Sequence, residues 1–103
     1  MRIRQTAHYQ VKPEAVDRVK RAIAEFVEHV KANEPGTRLY MAWQQADDPT
    51  RFAHFFIFDD EAAQQAHSRS DAVKRFQSVY SPELVGGGVR FVDYALVAEK
   101  GAP

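Results

Sequence analysis

Cysteine is absent from this 103-residue chain, which removes disulfides, thiol nucleophiles and thiolate metal sites from consideration. An excess of either charge is missing too, because 14 Lys and Arg balance 14 Asp and Glu. No basic excess is there to neutralise a phosphate backbone, and the basic residues are scattered, so nucleic acid is not an expected partner. No apolar run approaches the roughly 20 residues that cross a bilayer, and no apolar signal-peptide core is visible near Met1. A membrane partner is therefore not expected, and the cytoplasm is the expected compartment. Repeats, linkers and low-complexity stretches are also lacking. The length fits one domain over 1–103, with residues 99–103 expected to form a frayed tail.

Large apolar side chains are plentiful. Seven Phe, four Tyr and one Trp are more than a core this small needs, so part of this surface is expected to meet a ligand or a second subunit. Their spacing predicts the elements. Over residues 2–12, Ile3, Ala7, Tyr9 and Val11 share one parity while Arg2, Arg4, Thr6, His8 and Gln10 share the other, the pattern of a strand. Lys12-Pro13-Glu14 opens a helix, with Pro in the first turn and an acid at its positive end. Val16, Val19, Ile23, Phe26, Val27 and Val30 follow at helical spacing, and Asn33-Glu34-Pro35-Gly36 stops the helix.

Thr37–Gln45 and Arg51–Phe58 read as a hairpin around the Asp47-Asp48-Pro49 turn. Residues 60–80 read as a second helical region, broken near Ser68–Asp71, where Ser70 or Asp71 would cap the second piece. Ser81–Gly88, with three consecutive glycines, reads as a loop, and Val89–Ala98 as a last strand. The order predicts an α+β domain of ferredoxin-like β-α-β-β-α-β architecture with a four-stranded antiparallel sheet.

The two hairpin strands lack the usual alternation of apolar and polar faces. Phe52, His54, Phe56 and Phe58 occupy one parity and Ala53, Phe55 and Ile57 the other. Both faces of the sheet therefore need cover. Two helices supply one layer, and a second copy of the chain is the simplest source of the other, so a homodimer is expected.

Several stretches, in this order, resemble the antibiotic biosynthesis monooxygenase domain of the dimeric α/β barrel superfamily. They are Val11-Lys12-Pro13, Glu34-Pro35-Gly36-Thr37, Asp48-Pro49-Thr50-Arg51-Phe52, and Phe58-Asp59-Asp60-Glu61-Ala62 with Ala66-His67 and Ser70. The resemblance covers nearly the whole chain. It implies two protomers packed sheet to sheet, each with a pocket between its own sheet and helices. Relatives include cofactor-free monooxygenases of aromatic polyketides or quinols, haem-degrading proteins, and members with aldolase-like or signalling roles. This chain departs from the pattern at Phe58, where Trp is frequent, and at Ala72, where a second His is frequent. It departs again at Gln77, which stands at the position matching the haem-ligating His, and Gln is a poor iron ligand, so haem degradation is disfavoured.

The histidines are the side chains that titrate naturally near neutral pH. His67 stands at the family's Ala-His position beside the helix break, and is the favoured base for taking a proton from a phenol or hydroquinone. The plain alternative is a helix-terminal His facing the negative end of the dipole. His54 is the second catalytic candidate and His8 a pocket candidate. Their strands are expected to be neighbours, so the two could lie together and orient a planar phenol; alternatively each is a hydrogen-bonded core or interface histidine. His29, off the apolar stripe, is expected in solvent. Tyr40, Trp43, Phe58, Phe76 and Tyr94 are candidate pocket walls, or simply core.

The histidines have no metal-ligand spacing and no acid completes an evident triad, so no metal is expected. Gly86-Gly87-Gly88 follows no predicted strand and opens no helix, so it is not a phosphate cradle. The expected activity is oxidation of an electron-rich aromatic in the sheet–helix pocket, with molecular oxygen as co-substrate and no cofactor. The alternatives are a non-catalytic dimeric domain that binds a small apolar molecule or serves a stress role, and a lyase or isomerase using the same pocket.

Overall fold

The computed structural model describes residues 1–101, and the tail expectation for 102–103 lies outside the described residues. Four strands and three helices follow in the order β1 (Ile3–Val11), α1 (Val16–Asn33), β2 (Thr37–Gln44), β3 (Arg51–Phe58), α2 (Glu61–Arg69), α3 (Asp71–Tyr80) and β4 (Leu84–Tyr94). The sheet order is β2-β3-β1-β4, antiparallel throughout. This is the expected α+β ferredoxin-like fold.

Each boundary has a local cause. Pro13 sits in a 3-10 turn ahead of α1, where its missing N–H leaves no helical bond unmade. Val19, Ile23, Phe26 and Val30 then form the buried stripe of α1. Asp60 caps α2 by accepting from the Ala63 N–H at 2.9 Å, and Ser70 caps α3 by accepting from the Val73 N–H at 3.1 Å. The cap choice left open between Ser70 and Asp71 thus falls on Ser70, whose extended backbone breaks the helical region after Arg69.

One face of the sheet meets the helices. Tyr9 and Val11 of β1 and Phe52 of β3 are buried there with Ala15, Phe26, Phe76 and Tyr80. The other parity of β3 faces away, and Ala53, Phe55 and Ile57 remain half-buried. On that outer face Trp43 stacks on Phe55 with ring centroids 6.3 Å apart and stays 53% exposed. Among the described residues, then, the second apolar face has no cover.

The last strand differs from expectation at both ends. It begins at Leu84, so the three glycines lie inside it, and it ends at Tyr94, leaving Ala95–Ala98 without regular structure. The pairing explains the misreading. From His8 to Gln10, β1 advances two residues, while β4 advances five, from Arg90 back to Val85. The extra residues bulge out, and Gly86 and Gly88 take φ of 79° and 86°, values that glycine adopts without strain.

Candidate functional site

Two concavities flank the sheet. One is a broad trough of about 970 Å³ on the outer face, lined by His8, Trp43, Ala53 and the glycines of β4. The other is a cavity of about 140 Å³ between the sheet and the helices. Chemistry needs convergent polar groups shielded from water. The inner cavity gathers buried polar side chains, His54, His67 and Tyr9, along its wall.

His67 occupies the last turn of α2, against the sheet, with its side chain 11% exposed. Its imidazole is ringed by aromatics, with centroids 5.1 Å from Phe58, 5.6 Å from Phe26 and 5.7 Å from Tyr40. Its Nδ1 lies 2.7 Å from Glu34 Oε1. A carboxylate only accepts, so Nδ1 carries the proton and, in the neutral ring, Nε2 carries the lone pair. Glu34 Oε1 also accepts from the Thr37 hydroxyl at 2.8 Å, whereas the buried Oε2 has no partner among the described residues. A base held in one tautomer by a buried acid is the arrangement that proton-abstracting enzymes use.

Sequence reasoning missed Glu34. Its place before Pro35-Gly36 marks a helix stop, and no acid in the sequence is evidently spaced to complete a constellation around a histidine. The structure corrects this across 33 residues of chain. The signal was the Glu-Pro-Gly order itself, because each member has a separate task. Glu34 bonds His67, Pro35 prevents α1 from continuing, and Gly36 lets the turn approach α2. A Cβ on Gly36 would lie 2.7 Å from Ala63 Cβ.

His54 is fully buried, 1% exposed, on the inner face of β3. Both its nitrogens are engaged: Nε2 lies 2.8 Å from the Tyr9 hydroxyl and Nδ1 lies 2.7 Å from the Tyr40 hydroxyl. Burial pushes its pKa down to about 4, which keeps it neutral. Burial likewise pushes the Tyr9 and Tyr40 hydroxyls far above the ordinary phenol range, with neighbouring tyrosines adding to the effect. His54 is therefore not a free base: each of its nitrogens is already taken by a phenol.

The structure brings His67, His54, Tyr40, Phe58 and Phe76 to the inner cavity. It does not bring His8, Trp43 or Tyr94 there. His8 pairs with Ala53 and Ala7 with His54, so the two histidines sit on adjacent strands but on opposite faces. The pairing of Trp43 with Ala53 and of Tyr94 with Arg4 puts both on the outer face as well. The expected pairing of His8 with His54 fails on strand parity, and His8 instead bonds the Thr6 hydroxyl at 2.9 Å. His29 is half-buried, with Nδ1 3.3 Å from the Asn33 amide, rather than fully in solvent. Gln77 is exposed on α3 at the cavity rim. Among the described residues, no three His, Asp or Glu side chains converge closely enough to hold a metal ion, and no helix is long and apolar enough to cross a membrane.

Comparison with known structures reproduces this architecture. A protein from Bacteroides thetaiotaomicron superposes with a TM-score of 0.89 at 17% identity, over 99% of this chain and 95% of the other. One from Nitrosomonas europaea gives 0.86 at 21% identity, over 97% and 94%. Both are named for the antibiotic biosynthesis monooxygenases. A conserved protein from Methanosarcina mazei gives 0.81 at 26% identity, over 91% of each chain. No curated protein matches the sequence. The sequence profile of the antibiotic biosynthesis monooxygenase family matches residues 2–79, the span that carries Glu34, His54 and His67, and the chain belongs to that family.

Proposed function

We propose that the inner cavity oxidises an electron-rich, single-ring aromatic such as a phenol or hydroquinone, with His67 as the base and molecular oxygen as co-substrate. The observation that carries this reading is His67 at the cavity wall, paired behind it with the buried Glu34. His67 Nε2 takes the proton of the substrate hydroxyl, and Glu34 stabilises the imidazolium that results. The anion left behind is electron-rich enough to reduce dioxygen directly. One oxygen atom enters the ring in place of a hydrogen and the other leaves as water. All four electrons come from the substrate, so a hydroquinone becomes a hydroxyquinone without flavin, haem or metal. Cavity size supports a single ring over a polyketide: about 140 Å³ compares with the engineered cavity of about 150 Å³ that takes benzene.

A homodimer belongs to the same reading. Trp43 and Tyr94 are 53% and 49% exposed on the outer face of a sheet that one layer of helices covers on the other face only. The cytoplasm is the proposed compartment.

The test is oxygen uptake with a panel of hydroquinones. His67→Ala should lower the rate by about 10²-fold or more, the usual scale for a general base, with the circular dichroism unchanged. Glu34→Gln should retain an intermediate rate, because the amide can still accept from Nδ1 without stabilising a positive ring. Uptake no faster than buffer across the panel would instead favour a non-catalytic binding domain, and a His67-independent rate would remove His67 as the base.

A further inference from the structure

His54 poses a question of proton counting. A neutral imidazole has one N–H and one lone pair. Yet both its nitrogens lie within 2.8 Å of phenol oxygens, from Tyr9 and Tyr40. One tyrosine must donate to the bare nitrogen and the other must accept the N–H. The accepting tyrosine keeps its own hydroxyl proton, and no second side-chain partner lies within reach of either hydroxyl among the described residues. All three residues line the inner cavity. An unmatched buried donor is costly unless something in the cavity accepts from it.

We propose that Tyr9, His54 and Tyr40 act as one unit that presents a single free phenolic proton to the cavity, and that this proton grips an oxygen atom of the bound aromatic. The proposal rests on the reading that the cavity takes an oxygenated ring. Which phenol holds the free proton follows the tautomer of His54. With hydrogen on Nδ1, Tyr40 accepts and its hydroxyl is free; with hydrogen on Nε2, Tyr9 accepts and its hydroxyl is free. His54 is thus a positioning residue whose ring nitrogens act through the phenols, and the phenols are its two alternative donors. The substrate class narrows accordingly to rings bearing two oxygen functions, one for His67 and one for the phenol. A ring with a single hydroxyl and no further acceptor leaves the donor unmatched.

The probe is 4-hydroxybenzaldehyde, which carries a phenol and a carbonyl on one ring. Its ultraviolet spectrum reports whether the phenol is ionised, and its carbonyl stretch reports hydrogen-bond donation. Bound to the wild-type protein, the phenol is expected to be ionised and the carbonyl stretch lowered. In the double variant Tyr9→Phe/Tyr40→Phe, the carbonyl shift should vanish and Kd should rise about tenfold, the loss of one hydrogen bond of about 1.4 kcal/mol. In His67→Ala, ionisation should be lost while the carbonyl shift stays. A carbonyl stretch identical in the wild type and the double variant overturns the donor unit alone. Loss of the carbonyl shift in the double variant with no His67-dependent ionisation supports the donor and sinks the base. No binding to the wild type overturns both. In the ligand-free protein, nitrogen-15 shifts must give His54 one protonated and one bare nitrogen at neutral pH; two protonated nitrogens overturn the unit whatever the probe does.

Discussion

At the scale of single residues, burial divides the histidines by task. His54 is held neutral by its surroundings, whereas an unfolded chain protonates it near its ordinary value of 6.5. The folded pKa, about 4, is depressed, so between these values the unfolded state binds the extra proton and stability rises with pH. The contribution is complete above about pH 6.5 and is lost as pH falls toward 4, an upper estimate of about 3 kcal/mol at 1.36 kcal/mol per unit. Chemical denaturation should show the midpoint falling over that window. A His54→Phe variant, which has no proton to gain, should flatten the decline even if it is less stable at pH 7. An equally steep decline in that variant would assign the effect to other groups. His67 differs because its carboxylate partner gives its Nδ1 proton a fixed acceptor. Two histidines of one type thus become a structural hinge point for phenols and a candidate base, and only their neighbours distinguish them.

At the scale of elements, the short passage from α1 into β2 aligns the site. Glu34 reaches His67 because Gly36 packs its backbone against Ala63 of α2, and the Asp59 N–H donates to the Gly36 carbonyl at 2.8 Å. Gly36→Ala would force these backbones apart. An overpacked contact of this kind costs about 1–3 kcal/mol, so the urea midpoint should fall. Any activity should fall further than stability does, because the same shift separates Glu34 from His67. An unchanged midpoint would show that the turn relaxes freely. Elements were the most legible part of the sequence. Parity in β1 and β3 and the stripe of α1 come straight from periodicity, since burial on one face imposes it. The edge strand β4 was not legible: a bulge of glycines carries no periodicity, so its first residues read as a loop. Site residues were legible singly and not as sets. His67 stood out by its place at a helix break, but its bond to Glu34 is made by tertiary approach that no local spacing records. His8 failed for the converse reason: adjacent strands imply proximity, and only register reveals that its side chain leaves by the other face.

At the scale of the whole molecule, the outer face decides the state in solution. Its aromatic and aliphatic side chains stand beside a trough of about 970 Å³, and Trp43 and Tyr94 are about half exposed there. Light scattering on the eluting protein should give twice the chain mass, and the thermal midpoint should rise with protein concentration, as mass action requires of a folded dimer. Trp43→Glu should shift the equilibrium toward the monomer by placing a charge in the buried layer. A concentration-independent midpoint with a monomer mass would leave this face to another occupant.

The bulge in β4 has one more effect. An open four-stranded sheet ends in two rows of unpaired backbone groups, and a flat row recruits foreign strands into fibrils. Along β4 the row is interrupted where Gly86 and Gly88 turn to positive φ, so the spacing that a regular strand would match is lost for several residues. The same glycines that disguised the strand in the sequence thereby break the regular row on which edge-to-edge pairing depends over the first part of this margin.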